Sequence, residues 1–193
     1  MDIKTDSNKN GIRRRPLIFL DLEMTGLQTQ KHEIIEIGAL KVNPEPPFEI
    51  IEELEIKVKP KNIQSADKDA LKIVGYSEEA WRKAVDLQLA LKKLDKFGAE
   101  GVMVGFNVTA DWAFIDKAYF EQGRLDPFHF RRLDVMSMAY LVLFDEESIK
   151  RFGLGELCRF FGINRDGKHQ ALDDAKVTYL VFKKLFEYTE KRK

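Results

Sequence analysis

The chain has 193 residues, 44% of them hydrophobic, and its 32 basic side chains are balanced by 32 acidic ones. That length suits one well-buried domain, and zero net charge excludes the global positive field by which proteins cling to long nucleic acids, so any polyanion must be gripped locally. The lone cysteine, Cys158, excludes an intramolecular disulfide and a thiolate zinc cluster and fits a reducing, cytoplasmic setting; no apolar run approaches the ~18 residues of a membrane span, so no membrane partner is expected.

Residues 1–15 read as a flexible polar tail closing on Arg13, Arg14 and Arg15, a triplet more apt to be solvated than to hold phosphate, and 16–193 as a single domain. Residues 17–20, Leu-Ile-Phe-Leu, are too short, aromatic and branched for a helix and predict a buried central strand that ends by presenting Asp21 and Glu23. Side chains alternate along a strand, so both acids share one face. Two like charges ~4 Å apart at an effective dielectric of ~20 repel by about 4 kcal/mol, so the pair demands a proton or a cation, and a divalent metal site is the reading; the plainer one is a solvated turn marker. Thr25-Gly26 then turns the backbone tightly, with Gly26 removing any Cβ from whatever docks there.

Residues 33–42 and 48–58 predict second and third strands around the loop of Asn43, Pro44, Pro46 and Pro47, and with no crossover helix between them the three strands form an antiparallel meander. Beyond Asp67 the spacing turns helical, with a long helix from Ser77 to about Phe97. A short buried strand at 102–104 follows, parallel to the first, then a helix over 111–122, a strand over 133–135, and helices over 136–144, 154–161 (stopped at Gly162) and 171–188. The expected fold is α/β, a mixed five-stranded sheet flanked by helices.

A hard cation wants about six oxygen ligands, so Asp21 and Glu23 need company. Asp111 stands at a helix start beyond the carboxyl end of the fourth strand, where open α/β sheets place ligands, although an acid near a helix N-terminus is also favoured by the dipole alone. Asn107 is placed to bond a phosphate or sugar, or else the loop backbone. In HQALDDA, residues 169–175, His169 and Asp174 would lie roughly 140° apart on a continuous helix, so they converge only if His169 is on the loop and Asp174 on the helix. Asp174 would then complete a metal cage while His169 takes a proton from water near neutral pH. Periodicity does not choose between Asp173 and Asp174.

With Asp21 and Glu23 in DLEMTGL, Asp111 in NVTAD, and His169 and Asp174 in HQALDD, the chain resembles the DEDDh 3′-to-5′ exonucleases, the proofreading-subunit-like branch of the RNase H-like superfamily, over nearly everything from residue 17 to 185. HEIIEIGAL is similar to the family's second strand and LGELCRFFGI to the helix before its third motif; Met24 and the HxALDD ending are similar to oligoribonucleases, and Phe106 stands where many members carry histidine. The resemblance implies an RNase H-like fold and hydrolysis of terminal phosphodiesters of single-stranded DNA or RNA to nucleoside monophosphates. It implies two Mg²⁺ or Mn²⁺ ions about 3.5–4 Å apart held by Asp21, Glu23, Asp111 and Asp174, with His169 as general base. Met24, Thr25, Gly26, Leu27, Phe106 and Asn107 would meet the 3′ end, Leu27 as a wedge against the last base. The expected partner is a single-stranded 3′ end; a polymerase partner, as for DNA polymerase III epsilon-like proteins, and a homodimer stay open. The alternatives are oligoribonuclease-like degradation of short RNA and a binding module that has lost catalysis. An Asp-nucleophile phosphatase would need a second aspartate where Glu23 stands.

Overall fold

A computed structural model describes residues 11–165 and 170–192. Five strands form one sheet in the order β3-β2-β1-β4-β5, where β1 is Leu17–Met24, β2 Ile34–Val42, β3 Ile50–Lys57, β4 Val102–Gly105 and β5 Arg132–Asp134. The first three strands pair antiparallel, β4 joins β1 in parallel, and β5 joins β4 in parallel. The expected mixed sheet with its meander therefore stands, and β1 is central. Among the described residues six α-helices accompany it: α1 Lys68–Val74, α2 Leu87–Gly98, α3 Val108–Phe120, α4 Val135–Val142, α5 Leu154–Phe161 and α6 Ala171–Lys191.

The period-two alternation of β1 feeds two cores. Ile18, Leu20 and Leu22 pack with Leu91 and Leu94 of α2 and Ile115 of α3, while Leu17 and Phe19 pack with Val135, Ala139, Leu157, Val181 and Leu185 from α4, α5 and α6. Both faces of β1 are covered, which is why every position of its first half is apolar. Asp21 and Glu23 continue the row of Leu17 and Phe19, so they face the side on which α6 lies.

Three expectations change. The long helix starts at Leu87 rather than Ser77: buried Trp81 donates its indole N–H to the Ile35 carbonyl at 2.9 Å and Val85 bridges to Val58, so this stretch is spent in turns and Asp86 caps α2. The helical spacing read from Asp67 onward begins with a separate short helix that was not singled out, α1, which Asp67 caps by accepting the Asp69 N–H at 2.8 Å and Gly75 closes in the left-handed region at φ 69°. The basic triplet divides, because Arg15 is buried with its guanidinium 2.7 Å from the Glu100 carboxylate.

Candidate active site

Asp21 and Glu23 lie at the carboxyl end of β1, one strand repeat apart, and Asp174 lies one turn into α6, which packs across β1 and β2. Ligand oxygens of these three side chains all fall within 4.8 Å of one another. Burial settles what periodicity left open: Asp174 is on the buried stripe of α6 with Ala175, Thr178 and Val181, whereas Asp173 is exposed. Asp111, also buried, comes from α3 and accepts the Leu22 N–H at 3.1 Å through Oδ1, which ties it to the strand between the other two acids. The pairing of β1 with β2 shifts register at Glu23/Met24, an irregularity of the kind that re-aims side chains beside functional sites.

Burial raises the Asp21 carboxyl well above the usual range, and the neighbouring Asp111, Asp174 and Glu23 push it further. Burial, then Asp174, Glu36 and Asp111, lifts Glu23 to about 7. Asp111 reaches about 7 through burial, although the Leu22 N–H opposes the rise. Within the described residues Arg165 supplies a counter-charge, its Nε and Nη2 lying 3.0 and 2.8 Å from the two oxygens of Asp174. This cluster is built to be neutralised by added positive charge. All-oxygen donors of this kind suit hard divalent cations.

Beside the acids lies a slot of about 290 Å³ lined by Glu23, Met24, Gly26 and Leu27 on one side and Asp67, Ala70, Ile73 and Val74 on the other. Leu27 is 85% exposed and Ile73 58% exposed, so two apolar side chains stand free at its mouth. Thr25 does not belong to it. Its side chain is fully buried, its hydroxyl accepts the Glu33 N–H at 2.9 Å, and its backbone N–H and carbonyl are taken by Glu33 and Asp67. Gly26, at φ 150°, is needed for an internal reason as well: a Cβ there would meet the His32 ring at 2.6 Å. Neither Phe106 nor Asn107 lines the slot. Phe106 packs partly buried against the α4–α6 core, and Asn107, exposed at φ 59°, gives its N–H to Asp134 at 2.7 Å. His169 lies outside the described residues.

Sequence reasoning missed the α1 side of the slot, the Arg165 contact and a buried carboxylate, Glu36. The first had a local signal in Asp67 and Gly75, a helix cap and a helix stop around seven residues. The other two are set by tertiary packing alone.

A family model described as exonuclease matches residues 18–182. The chain belongs to that family. The four acids thus sit on a matched exonuclease frame, in keeping with the DEDDh resemblance. Among curated proteins it is 28% identical over 170 residues to the DNA polymerase III subunit epsilon of Aquifex aeolicus, covering 88% of this chain and 80% of that one. It is 27% identical over 177 residues to the PolC-type DNA polymerase III of Thermotoga maritima, covering 90% of this chain but only 12% of the polymerase. The exonuclease fold is shared with the zinc-bound E. coli ExoI–ssDNA complex, at a TM-score of 0.75 and 19% identity over 91% of this chain and 42% of that one. No helix among the described residues is long and apolar enough to cross a membrane.

Proposed function

We propose that this chain is a metal-dependent 3′-to-5′ exonuclease that hydrolyses the terminal phosphodiester of single-stranded nucleic acid and releases nucleoside monophosphates. The observation that carries the reading is the convergence of Asp21, Glu23 and Asp174 within 4.8 Å, with Asp111 tied to the same strand. The donor set fits the divalent cations such a reaction uses: it is all carboxylate, and burial, joined at Asp21 and Glu23 by the neighbouring acids, pushes Asp21, Glu23 and Asp111 toward protonation. Asp21, Glu23, Asp111 and Asp174 would hold two Mg²⁺ or Mn²⁺ ions. When bound, these supply Lewis-acid stabilisation of the negative charge that builds on the phosphate.

The chain's own residues do the rest. The slot between Leu27 and Ile73 takes the terminal base by apolar contact with its face, which tolerates any base and so gives little sequence preference. Asp67 and Asp69 on its far side repel phosphates, which would favour placing the backbone toward the carboxylate cluster once cations neutralise it. His169 serves as the base that takes the proton of the attacking water, since an imidazole changes charge near neutral pH. Single-stranded DNA is the favoured substrate, on the strength of the ssDNA-bound ExoI and DNA polymerase III relatives, and the lone cysteine supports a reducing, cytoplasmic setting. An epsilon-like relative also makes a polymerase the partner to look for first.

The test uses 5′-labelled single-stranded DNA and RNA oligomers with Mn²⁺, with EDTA, and with Asp21→Ala. The expected outcome is a metal-dependent ladder shrinking from the 3′ end, faster on DNA, and slowed in Asp21→Ala by on the order of 10²–10³-fold, the scale for losing a group that stabilises transition-state charge. Oligomers bound yet never cut would replace this reading with that of a binding module.

A further inference from the structure

We infer that Glu36 is a positioning residue for the carboxylate cluster: by holding the first turn of α6 against β2 it sets where Asp174 meets Asp21 and Glu23, an inference that rests on the metal-centre reading above. The register of the central strands is the starting point. Asp21 lies opposite Gly38 and Glu23 opposite Glu36, so the cross-strand neighbours of the two acids are two residues of β2 on the same face. Both of these contact the start of α6. Glu36, 1% exposed, accepts the Ala171 N–H at 3.1 Å across 135 residues of sequence. Gly38 lets the helix backbone touch the strand, because a Cβ there would fall 2.0 Å from the Leu172 nitrogen.

Gln170, the residue that precedes α6, makes no side-chain cap, so the carboxylate of Glu36 serves this helix end from another element. A buried carboxylate is expensive unless bonded, and the partly positive end of a helix is a favourable place for it. Asp174 follows Ala171 by three residues, one turn along the same side of the helix, so a tilt or shift of the first turn is transmitted directly to its carboxylate. Beside the charge it presents to Glu23, Glu36 acts on the cluster through the placement of Asp174 and need touch neither metal nor substrate.

Three variants separate this role from simple stability. Glu36→Ala removes the acceptor, Glu36→Asp keeps the charge but withdraws it by one methylene, and Glu36→Gln keeps an acceptor at the same reach. Mn²⁺ binding is measured by calorimetry on each variant shown to be folded by circular dichroism, and oligonucleotide KM is measured at saturating Mn²⁺. The Mn²⁺ Kd is expected to rise about 10–100-fold in Glu36→Ala, to rise also in Glu36→Asp, and to stay within about threefold of the parent in Glu36→Gln, the range known for groups that orient metal ligands. KM is expected to be unchanged. If Glu36→Ala does not fold, the contrast between Glu36→Asp and Glu36→Gln decides. Parent-like Mn²⁺ binding in the folded Ala and Asp variants overturns the positioning role alone, as does a Gln variant that loses as much as Ala. A parent protein that binds no Mn²⁺ overturns the metal centre itself, and this role with it.

Discussion

Asp174 offers two oxygens, and Arg165 occupies both in a fork geometry that a carboxylate matches well. A cation binding at the cluster must therefore compete with a guanidinium. Arg165→Gln is expected to lower the melting temperature of the metal-free protein and to tighten Mn²⁺ binding by about tenfold, equivalent to about 1.4 kcal/mol of competition removed. Thermal melts check the first sign and calorimetric titration of parent and variant the second; weaker Mn²⁺ binding in the variant would show that the guanidinium supports the site. At this scale much of the cluster could be read from the chain. The placement of Asp21 and Glu23 on one face follows from strand alternation, which is local. Periodicity alone could not separate Asp174 from Asp173, and the choice of Asp174 rested on the family resemblance, since both lie in the first turn of α6 and only packing buries one of them. The surroundings of Thr25 were illegible for the same reason: the groups that take up its polar atoms, Glu33 and Asp67, are brought to it by the fold.

Among the elements, α1 has the most functional weight for its size. Its seven residues include no buried side chain, yet they form one wall of the slot. The Asp67 N–H bonds to the Thr25 carbonyl at 2.8 Å, fastening the start of α1 to the turn after β1, so the two walls move as one. Ile73→Ala is expected to raise KM for a single-stranded oligomer about fivefold with little change in kcat, the low end of what one base contact is worth. An equal fall in kcat with KM constant would place Ile73 outside ground-state binding. Other elements were legible to different degrees. The stop of α5 at Gly162 was written in the chain, where a left-handed residue at φ 67° ends the helix. The start of α2 was not, because Ser77 followed by acids looks like a helix start, and only the docking of Trp81 and Val85 on β2 and its neighbours converts that stretch into turns.

For the whole molecule, the burial of the acids, with like charges beside Glu23, ties stability to pH. Glu23 holds its proton up to about 7 in the folded protein, against an ordinary value of 4.5, and Asp111 up to about 7 against 3.8. Between those limits the folded state binds more protons than the unfolded one, so this contribution is fully present below about pH 4 and is lost as pH rises toward 7. The melting temperature of the metal-free protein is expected to slope downward through that window as these groups ionise. Mn²⁺, which binds the ionised carboxylates, is expected to remove most of the slope and to add about 2.7 kcal/mol at a hundredfold excess over Kd. Thermal melts at pH 5, 6, 7 and 8 with and without Mn²⁺ test this; parallel curves would separate the cluster from the stability of the fold.

The sheet itself has a further consequence. Strand β3 closes it on one side and leaves Ile50 and Ile51 largely exposed, an apolar start that would invite a second copy to pair along the same edge. Further along it Glu52, Glu53 and Glu55 are exposed carboxylates, of which Glu53 is paired with Lys176 at 2.7 Å. Two such edges brought side by side would set the carboxylates of Glu52 and Glu55 near their like, a charge penalty that opposes edge-to-edge growth of the sheet.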